Sequence, residues 1–423
     1  MFPGTSELEK VFLRGNIRPD FLVGLYEAHG ETIFNERMRS IKCEFIPKEG
    51  ILLHHTKAVS LGLCLLFTLS ACGNPAASAA PAATQATAAA ESSASERTAV
   101  ASDAEFTSDL FAMDTYMTMK AYGPGAEAAL NGISAMISDL DSHLSVTNSE
   151  SEIYQLNHAE GQPVSLSDTT ADLLTKALAL GRTTGGALEL TSYPLSLAWG
   201  FTTGDYQIPD QADIDSLLPL VDDSAVTLEG NTVSLPAGAQ LDLGAVAKGY
   251  AGDRAAEILQ ESGVTSALLN LGSSTIRAIG SKPDGSAWRI AIQDPNDSSA
   301  YAGVVSATDL AIDTSGGYER YFEGDDGEIY WHILNPHTGY PAKSGLISVT
   351  VLSDSALTGD GLSTALFVMG LDDAIAYWQQ QQNFEFILIT DQNEIYVSQG
   401  AEDLFQPLGS YENATLHVVE KQE

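Results

Sequence analysis

The 423-residue chain predicts an α+β fold, mixed antiparallel sheets with packed helices. Short alternating apolar runs separated by Gly, Asn and Asp turns give hairpins rather than crossover units. Apolar stripes at spacings of three and four interrupt those runs irregularly, so the strand–helix–strand rhythm of a parallel sheet is missing. An apolar content of 44% is enough for a core, and all three cysteines, Cys43, Cys64 and Cys72, lie upstream of it.

Residues 1–50 read as an extension ahead of the true start, with Met38 or a codon near Ile51 to Leu53 as that start; an intact functional extension is the other reading. Residues 51–72 read as a secretion signal. Lys57 precedes an apolar run from Ala58 to Thr68 that is too short for a stable span, and Leu69-Ser70-Ala71-Cys72 is similar to a bacterial lipobox. That implies cleavage before Cys72, a lipid on its sulfur and a place on the outer side of the cell membrane. A core helix ending in cysteine is the alternative. Residues 73–104 are rich in Ala, Ser, Thr and Pro and lack the apolar groups to bury, as in a tether. Residues 105–423 form the folded domain.

In that domain "LFAMDTYMTMKAYG" alternates as a strand. Leu130, Ile133, Met136, Ile137, Leu140 and Leu144 share one face of a helix. A second helix starts at Ser167 or Asp168 and stops at Gly185-Gly186. A short helix spans Ile214 to Leu220, and "AVTLEGNTVSLPAG" is a hairpin turned at Gly-Asn. "QLDLGAVAKGYAGDRAAEILQESG" gives a short strand, a glycine-bearing turn and a helix closed by Gly263. "SALLNLGSSTIRAIG" and "AWRIAIQDP" read as neighbouring strands, and "YERYFEGDDGEIYWHIL" as a hairpin. A strand, "GLISVTVLS", two helices, "DGLSTALFVMG" and "LDDAIAYWQQQQ", and a closing hairpin, "FEFILITDQNEIYVSQG", complete the chain.

Residues 1–71 carry eight charges of each sign, leaving 12 basic against 48 acidic residues downstream. Such a field repels a phosphate backbone and argues against nucleic-acid binding. The cysteine-free body excludes a thiolate nucleophile and a Cys-built metal site.

Three stretches can carry chemistry. Lys248 falls at a helix start, where an ammonium beside free N–H groups suits phosphate, although a structural lysine reads equally well there. Asp360 and Thr364 are four apart on one helix face and can offer a carboxylate and a hydroxyl to a hard cation; the other reading is a helix-capping aspartate. His332 follows a strand and precedes the double turn of "NPHTGYP", which holds it at a strand end facing a cleft or, on the other reading, a structural contact.

Taken together the chain resembles the FAD:protein FMN transferases, the ApbE family. The likeness runs from about Phe111 to Gly400 through eight ordered blocks: "MDTYMT", "SEIYQLN", "GGALELTSYPLSLAWGF", "LDLGAVAKGYAGDRA", "NLGSS", "DTSGGYERYF", "HILNPHTGYP" and "DGLSTALFVMG". The resemblance implies an ApbE-like, T-fold-related domain that binds FAD and, with Mg²⁺, moves FMN onto a Thr or Ser hydroxyl of a target protein, releasing AMP. By position it implies Asp360, Thr364 and the carbonyl of Ala245 as metal ligands, and Met113, Thr147, Asp242, Lys248 and Ile347 as flavin-nucleotide contacts. Ala187, Leu188, Glu189 and Thr191 would line the nucleotide pocket, with His332 and Asp360 as the catalytic pair. The implied targets are subunits of Na⁺-pumping NADH:quinone oxidoreductase, Rnf-type complexes or secreted FMN-binding domains.

The chain departs from the family pattern at Asp114, Glu189, Ser273-Ser274, Gly317, Asn335 and Ser363, and the last removes an acid that some members carry near the metal. The competing expectations are an FAD pyrophosphatase, in which water attacks the same phosphorus, a surface lipoprotein that binds FAD without chemistry, and a sugar- or peptide-binding lipoprotein.

Overall fold

The computed structural model describes residues 102–422. The expected N-terminal extension, the signal segment with Cys72 and the tether up to residue 101 lie outside the described residues.

The elements run β1 (Glu105–Ala112), β2 (Thr115–Tyr122), α1 (Ala126–Leu144), α2 (Glu152–Asn157), β3 (Val164–Ser165), α3 (Asp168–Thr183), α4 (Tyr193–Trp199) and α5 (Gln211–Leu217). Then come β4 (Thr227–Glu229), β5 (Thr232–Ser234), α6 (Ala247–Glu261), β6 (Ala267–Leu271), β7 (Thr275–Ile279), β8 (Trp288–Asp294), β9 (Asp297–Ala307) and β10 (Ala311–Gly316). The last third holds β11 (Tyr321–Glu323), β12 (Ile329–Trp331), β13 (Leu346–Ser353), α7 (Ala356–Met369), α8 (Leu371–Gln381), β14 (Glu385–Thr390), β15 (Ile395–Ser398), β16 (Phe405–Pro407) and β17 (Leu416–Val419).

Nine strands form the main sheet in the order β1-β2-β6-β7-β10-β13-β14-β15-β17, antiparallel throughout except for β15 against β17. The period-two alternation of a strand assigns its faces. On β14, Phe386 and Leu388 join the helix-side core with Leu130, Ile133 and Leu366, while Ile387 and Ile389 join a second core with Trp288, Ile290 and Val305 from the β16-β9-β8 sheet. The main sheet is thus covered on both faces. A third, aromatic cluster gathers Leu195, Trp199, Phe201, Ile214 and Leu334, with Phe322, Tyr330 and Tyr340 against them.

The α+β expectation and most helices hold. α1 buries Leu130, Ile133, Ile137, Leu140 and Leu144, and α3 is capped by the Ser167 hydroxyl, which accepts from the N–H of Thr170. Four expectations change. The single strand read in "LFAMDTYMTMKAYG" is a hairpin, because Met113 and Asp114 both take positive φ, 51° and 59°, and close a two-residue turn. "SALLNLGSSTIRAIG" and "AWRIAIQDP" are not neighbours: the first folds on itself as β6–β7, β7 continues to β10, and β8 pairs with β9 in the smaller sheet. "SYPLSLAW" forms a helix, α4, that no apolar periodicity marks, with its proline in the first turn. α7 starts one turn earlier than "DGLSTALFVMG", at Ala356, because Ser355 and Asp253 together cap it there.

Candidate active site

The start of α6 and the first half of α7 meet because a glycine lets them. A Cβ on Gly249 would stand 2.6 Å from the carbonyl carbon of Ala356 and 2.7 Å from Cα of Leu357, so only a glycine lets the first turn of α6 lie on the start of α7. The approach puts the N–H of Gly249 2.9 Å from Asp360 Oδ2. That N–H is one of those a helix start leaves unpaired. Asp360 therefore caps α6 rather than its own helix, whose cap is Ser355.

Lys248 points the same way. Its Nζ stands 3.7 Å from Asp360 Oδ1 and donates to the carbonyl of Gly244 at 3.4 Å. An ammonium thus stands between a carboxylate and a carbonyl, both of which attract positive charge. Thr364, one turn beyond Asp360, reaches Ser315 Oγ at 3.2 Å; Ser363 reaches the same oxygen at 2.8 Å and donates to the Asp360 carbonyl. Ala245 sits between Gly244 and the start of α6. A carboxylate oxygen, a hydroxyl and a backbone carbonyl are the hard donors Mg²⁺ takes. Among the described residues no cluster of three or more His, Cys, Asp or Glu side chains forms a denser cage.

Asp242 lies in the same turn, its Oδ1 accepting from the N–H of Gly244 at 2.8 Å. Burial raises its carboxyl, opposed by that N–H and by the charges of Arg320 and Lys248. Burial also raises Asp360, opposed first by Lys248. The N–H of Asp242 donates to the carbonyl of Leu190, which ties this turn to the segment Ala187–Thr191. In that segment the N–H of Leu190 donates to Asp223 and the hydroxyl of Thr191 to Glu189 Oε1. Leu188 and Val246 approach α7 at Gly361, where a Cβ would stand 3.0 and 3.2 Å from them. His337 of the stretch "HILNPHTGYP" packs over Gly186 at the head of the segment.

His332 follows β12. Its N–H donates to the carbonyl of Arg320 at 3.0 Å, and its Nδ1 lies 3.2 Å from the same oxygen. Burial first, and then the charges of Arg320 and Lys248, push its pKa down to about 4. The ring is therefore neutral near pH 7. A carbonyl oxygen only accepts, so Nδ1 carries the hydrogen and Nε2 keeps a free lone pair.

The structure thus groups Asp242, Ala245, Lys248, Asp360, Thr364 and the Ala187–Thr191 segment around the α6–α7 junction, with His332 within range of the Lys248 charge. The other three predicted contacts are carried by other elements. Met113 is in the β1–β2 turn, its N–H bonded to Asp141; Thr147 is exposed after α1; Ile347 packs on the second core and lines a cavity of about 360 Å³ with Trp331 and Lys343. A wider depression of about 1040 Å³, between α3, α6 and the start of α7, holds none of the predicted substrate contacts. The sequence reading missed Arg320, whose carbonyl orients His332, and Asp313 and Ser315 on β10. The latter two sit two apart on one strand under α7, a period-two signal legible only once the strand is placed.

A family model described as the ApbE family matches residues 113–388. A protein of Klebsiella pneumoniae (strain 342) named FAD:protein FMN transferase is 35% identical over 289 residues, 67% of this chain and 89% of that protein. One of the same name from Vibrio cholerae is 34% identical over 59% of this chain and 76% of its own length. The crystal structure of an ApbE protein from Thermotoga maritima superposes with a TM-score of 0.67 at 28% identity, over 71% of this chain and 99% of that one. The apo flavinyl transferase ApbE of Pseudomonas stutzeri gives 0.65 at 30% identity, over 72% and 97%.

Proposed function

The chain belongs to the ApbE family, and from that membership we propose how its α6–α7 junction performs FMN transfer. It is an FAD:protein FMN transferase: FMN passes from FAD to a hydroxyl of a target protein. The observation that carries the mechanism is the neutral His332 with Nδ1 on the Arg320 carbonyl and Nε2 free.

In the proposed step a Thr or Ser oxygen of the target attacks the FMN-side phosphorus of FAD. Nε2 of His332 takes the hydroxyl proton, and the bond from that phosphorus to the bridging oxygen breaks, so AMP leaves with the bonding pair. Lys248 stands where its ammonium can face the pyrophosphate. The pinned segment Ala187–Thr191 and Asp242 hold the nucleotide. Asp360, Thr364 and the Ala245 carbonyl would hold Mg²⁺, which supplies positive charge to the pyrophosphate when bound. Replacing the histidine removes only the proton acceptor. His332→Ala is expected to lower FMN transfer at least 100-fold, within the usual range for a general base, while FAD binding followed by flavin fluorescence persists. Transfer at the wild-type rate would overturn the assignment.

The anchor belongs to the same reading. A lipid on Cys72 and the tether after it would hold the domain on the outer face of the cell membrane, in one plane with targets such as subunits of Na⁺-pumping NADH:quinone oxidoreductase or Rnf-type complexes, and so raise their effective concentration. No helix of the described residues is long and apolar enough to cross a membrane. Incorporation of labelled palmitate into the full chain, and its loss in Cys72→Ala, tests the anchor.

A further inference from the structure

Asp313 is fully buried and takes no part in the chemistry described above. It is 0% exposed, on β10, in register with Thr275 of β7 and Val351 of β13. Its carboxyl group lies directly beneath Gly359: a Cβ on that glycine would stand 2.9 Å from Asp313 Cγ and closer still to Oδ2. Gly359 immediately precedes Asp360. Two residues along the same strand, Ser315 meets Ser363 and Thr364 from below. β10 therefore runs as a floor beneath this part of α7, with a carboxyl group under Gly359, next to Asp360, and a hydroxyl against Ser363 and Thr364.

Neither Asp313 oxygen has a hydrogen-bonding partner in good geometry among the described residues, and the Thr275 hydroxyl beside it is the one side chain near enough to donate. A buried carboxylate left this way is costly unless a cation stands by. The Lys248 ammonium acts on Asp313, and it is already 3.7 Å from Asp360. Asp313 and Asp360 share that ammonium, and Asp253 adds its negative charge to the field at Asp313; a divalent cation would offset this excess of negative charge.

We propose that Asp313 is the second carboxylate of the cation site, contributed by the sheet beneath α7, and that it sets the affinity of the site for a divalent ion. The inference rests on reading Asp360 and Thr364 as cation ligands. It goes beyond that reading by assigning a function to a residue outside the helix that carries both.

The test is Mn²⁺ binding to the folded protein without FAD, measured by isothermal titration and by the electron paramagnetic resonance of free Mn²⁺ at pH 8. Site-specific binding is the part lost in Asp360→Ala. Asp313→Asn keeps the shape and removes the charge; Asp313→Ser removes the charge and leaves room. Both variants are expected to bind Mn²⁺ at least tenfold more weakly than wild type, while the metal-free Asp313→Asn protein melts no lower than wild type. Affinity within twofold of wild type in either folded variant, with Asp360→Ala still abolishing the binding, overturns the inference alone. Site-specific binding that survives Asp360→Ala overturns the cation site, and the inference with it.

Discussion

Gly249→Ala puts a single methyl group into the α6–α7 crossing, and its effect can be worked out from the structure. In a helix, Gly to Ala ordinarily stabilises, by about 0.8–1 kcal/mol. At this position the new carbon would stand 2.6 and 2.7 Å from backbone atoms of Ala356 and Leu357, where unbonded carbons rest at about 3.5–4 Å. Backbone cannot rotate aside, so the helices must part by about 1 Å, at a cost of about 1–3 kcal/mol and occasionally more. The same displacement stretches the Gly249–Asp360 hydrogen bond and the Lys248–Asp360 pair, now at 2.9 and 3.7 Å. Gly132→Ala on α1 is the control, since its Cβ would meet only Ile258 Cγ2 at an ordinary 3.8 Å. Thermal unfolding followed by circular dichroism is expected to show Gly132→Ala melting at or above wild type and Gly249→Ala melting a few degrees below it. Rates of FMN transfer should fall in the second only. A Gly249→Ala protein as stable and active as Gly132→Ala would refute the claim that this crossing positions the site.

With His332 held at about 4, transfer at pH 5.5 should run near its neutral-pH rate, whereas an ordinary imidazole of pKa about 6.5 would be only about one-tenth neutral there; an acid limb centred at 6.5 in the pH–rate profile would contradict the assignment. Asp253 accepts from the hydroxyl of Ser355 and the N–H groups of Ala356 and Leu357, so Asp253→Ala should cost about 2–3 kcal/mol, read as a lower denaturant midpoint with loosened α7 amides in hydrogen exchange. Burial first, and then the Glu189 carboxyl, push Asp223 up to about 9. The folded chain keeps that proton while the unfolded chain loses it near pH 4, so Asp223 withdraws stability as pH rises from there through 9. Asp223→Asn should therefore gain on wild type by up to about 1 kcal/mol per pH unit across that window, and a melting-temperature gap that does not widen between pH 6 and 9 would count against the buried pair.

Periodicity carried α1, α3, α6 and α8 into view, because a helix with one buried face writes its spacing into the chain. Hairpins announced by Gly-Asn or Gly-Asp-Asp-Gly were equally plain, at β4–β5 and β11–β12. The β1–β2 turn was hidden because Met113 and Asp114 adopt positive φ without a glycine to mark it. The start of α7 was hidden because half of its cap, Asp253, is a hundred residues away in sequence. Pairing order is a tertiary property, and nothing local in "AWRIAIQDP" says that β8 leaves the main sheet. At the site, Lys248, Asp360 and Thr364 were legible from spacing and resemblance together. Asp313 was not, for a lone acid in a strand signals nothing until the helix above it is known to be Gly359-Asp360. The expectation of a metal site short of acids at Ser363 therefore considered only the helix; the strand below carries one.

The fate of the flavin tells a transferase from a hydrolase most directly. Residues 105–423 would be incubated with FAD, Mg²⁺ and a candidate target domain, and the target weighed by intact-protein and peptide mass spectrometry. The account predicts a gain of one FMN on a threonine or serine, with AMP released, and no gain with the Asp360→Ala enzyme. Free FMN and AMP beside an unmodified target, when a known transferase modifies that target in parallel, would contradict it and identify water as the acceptor.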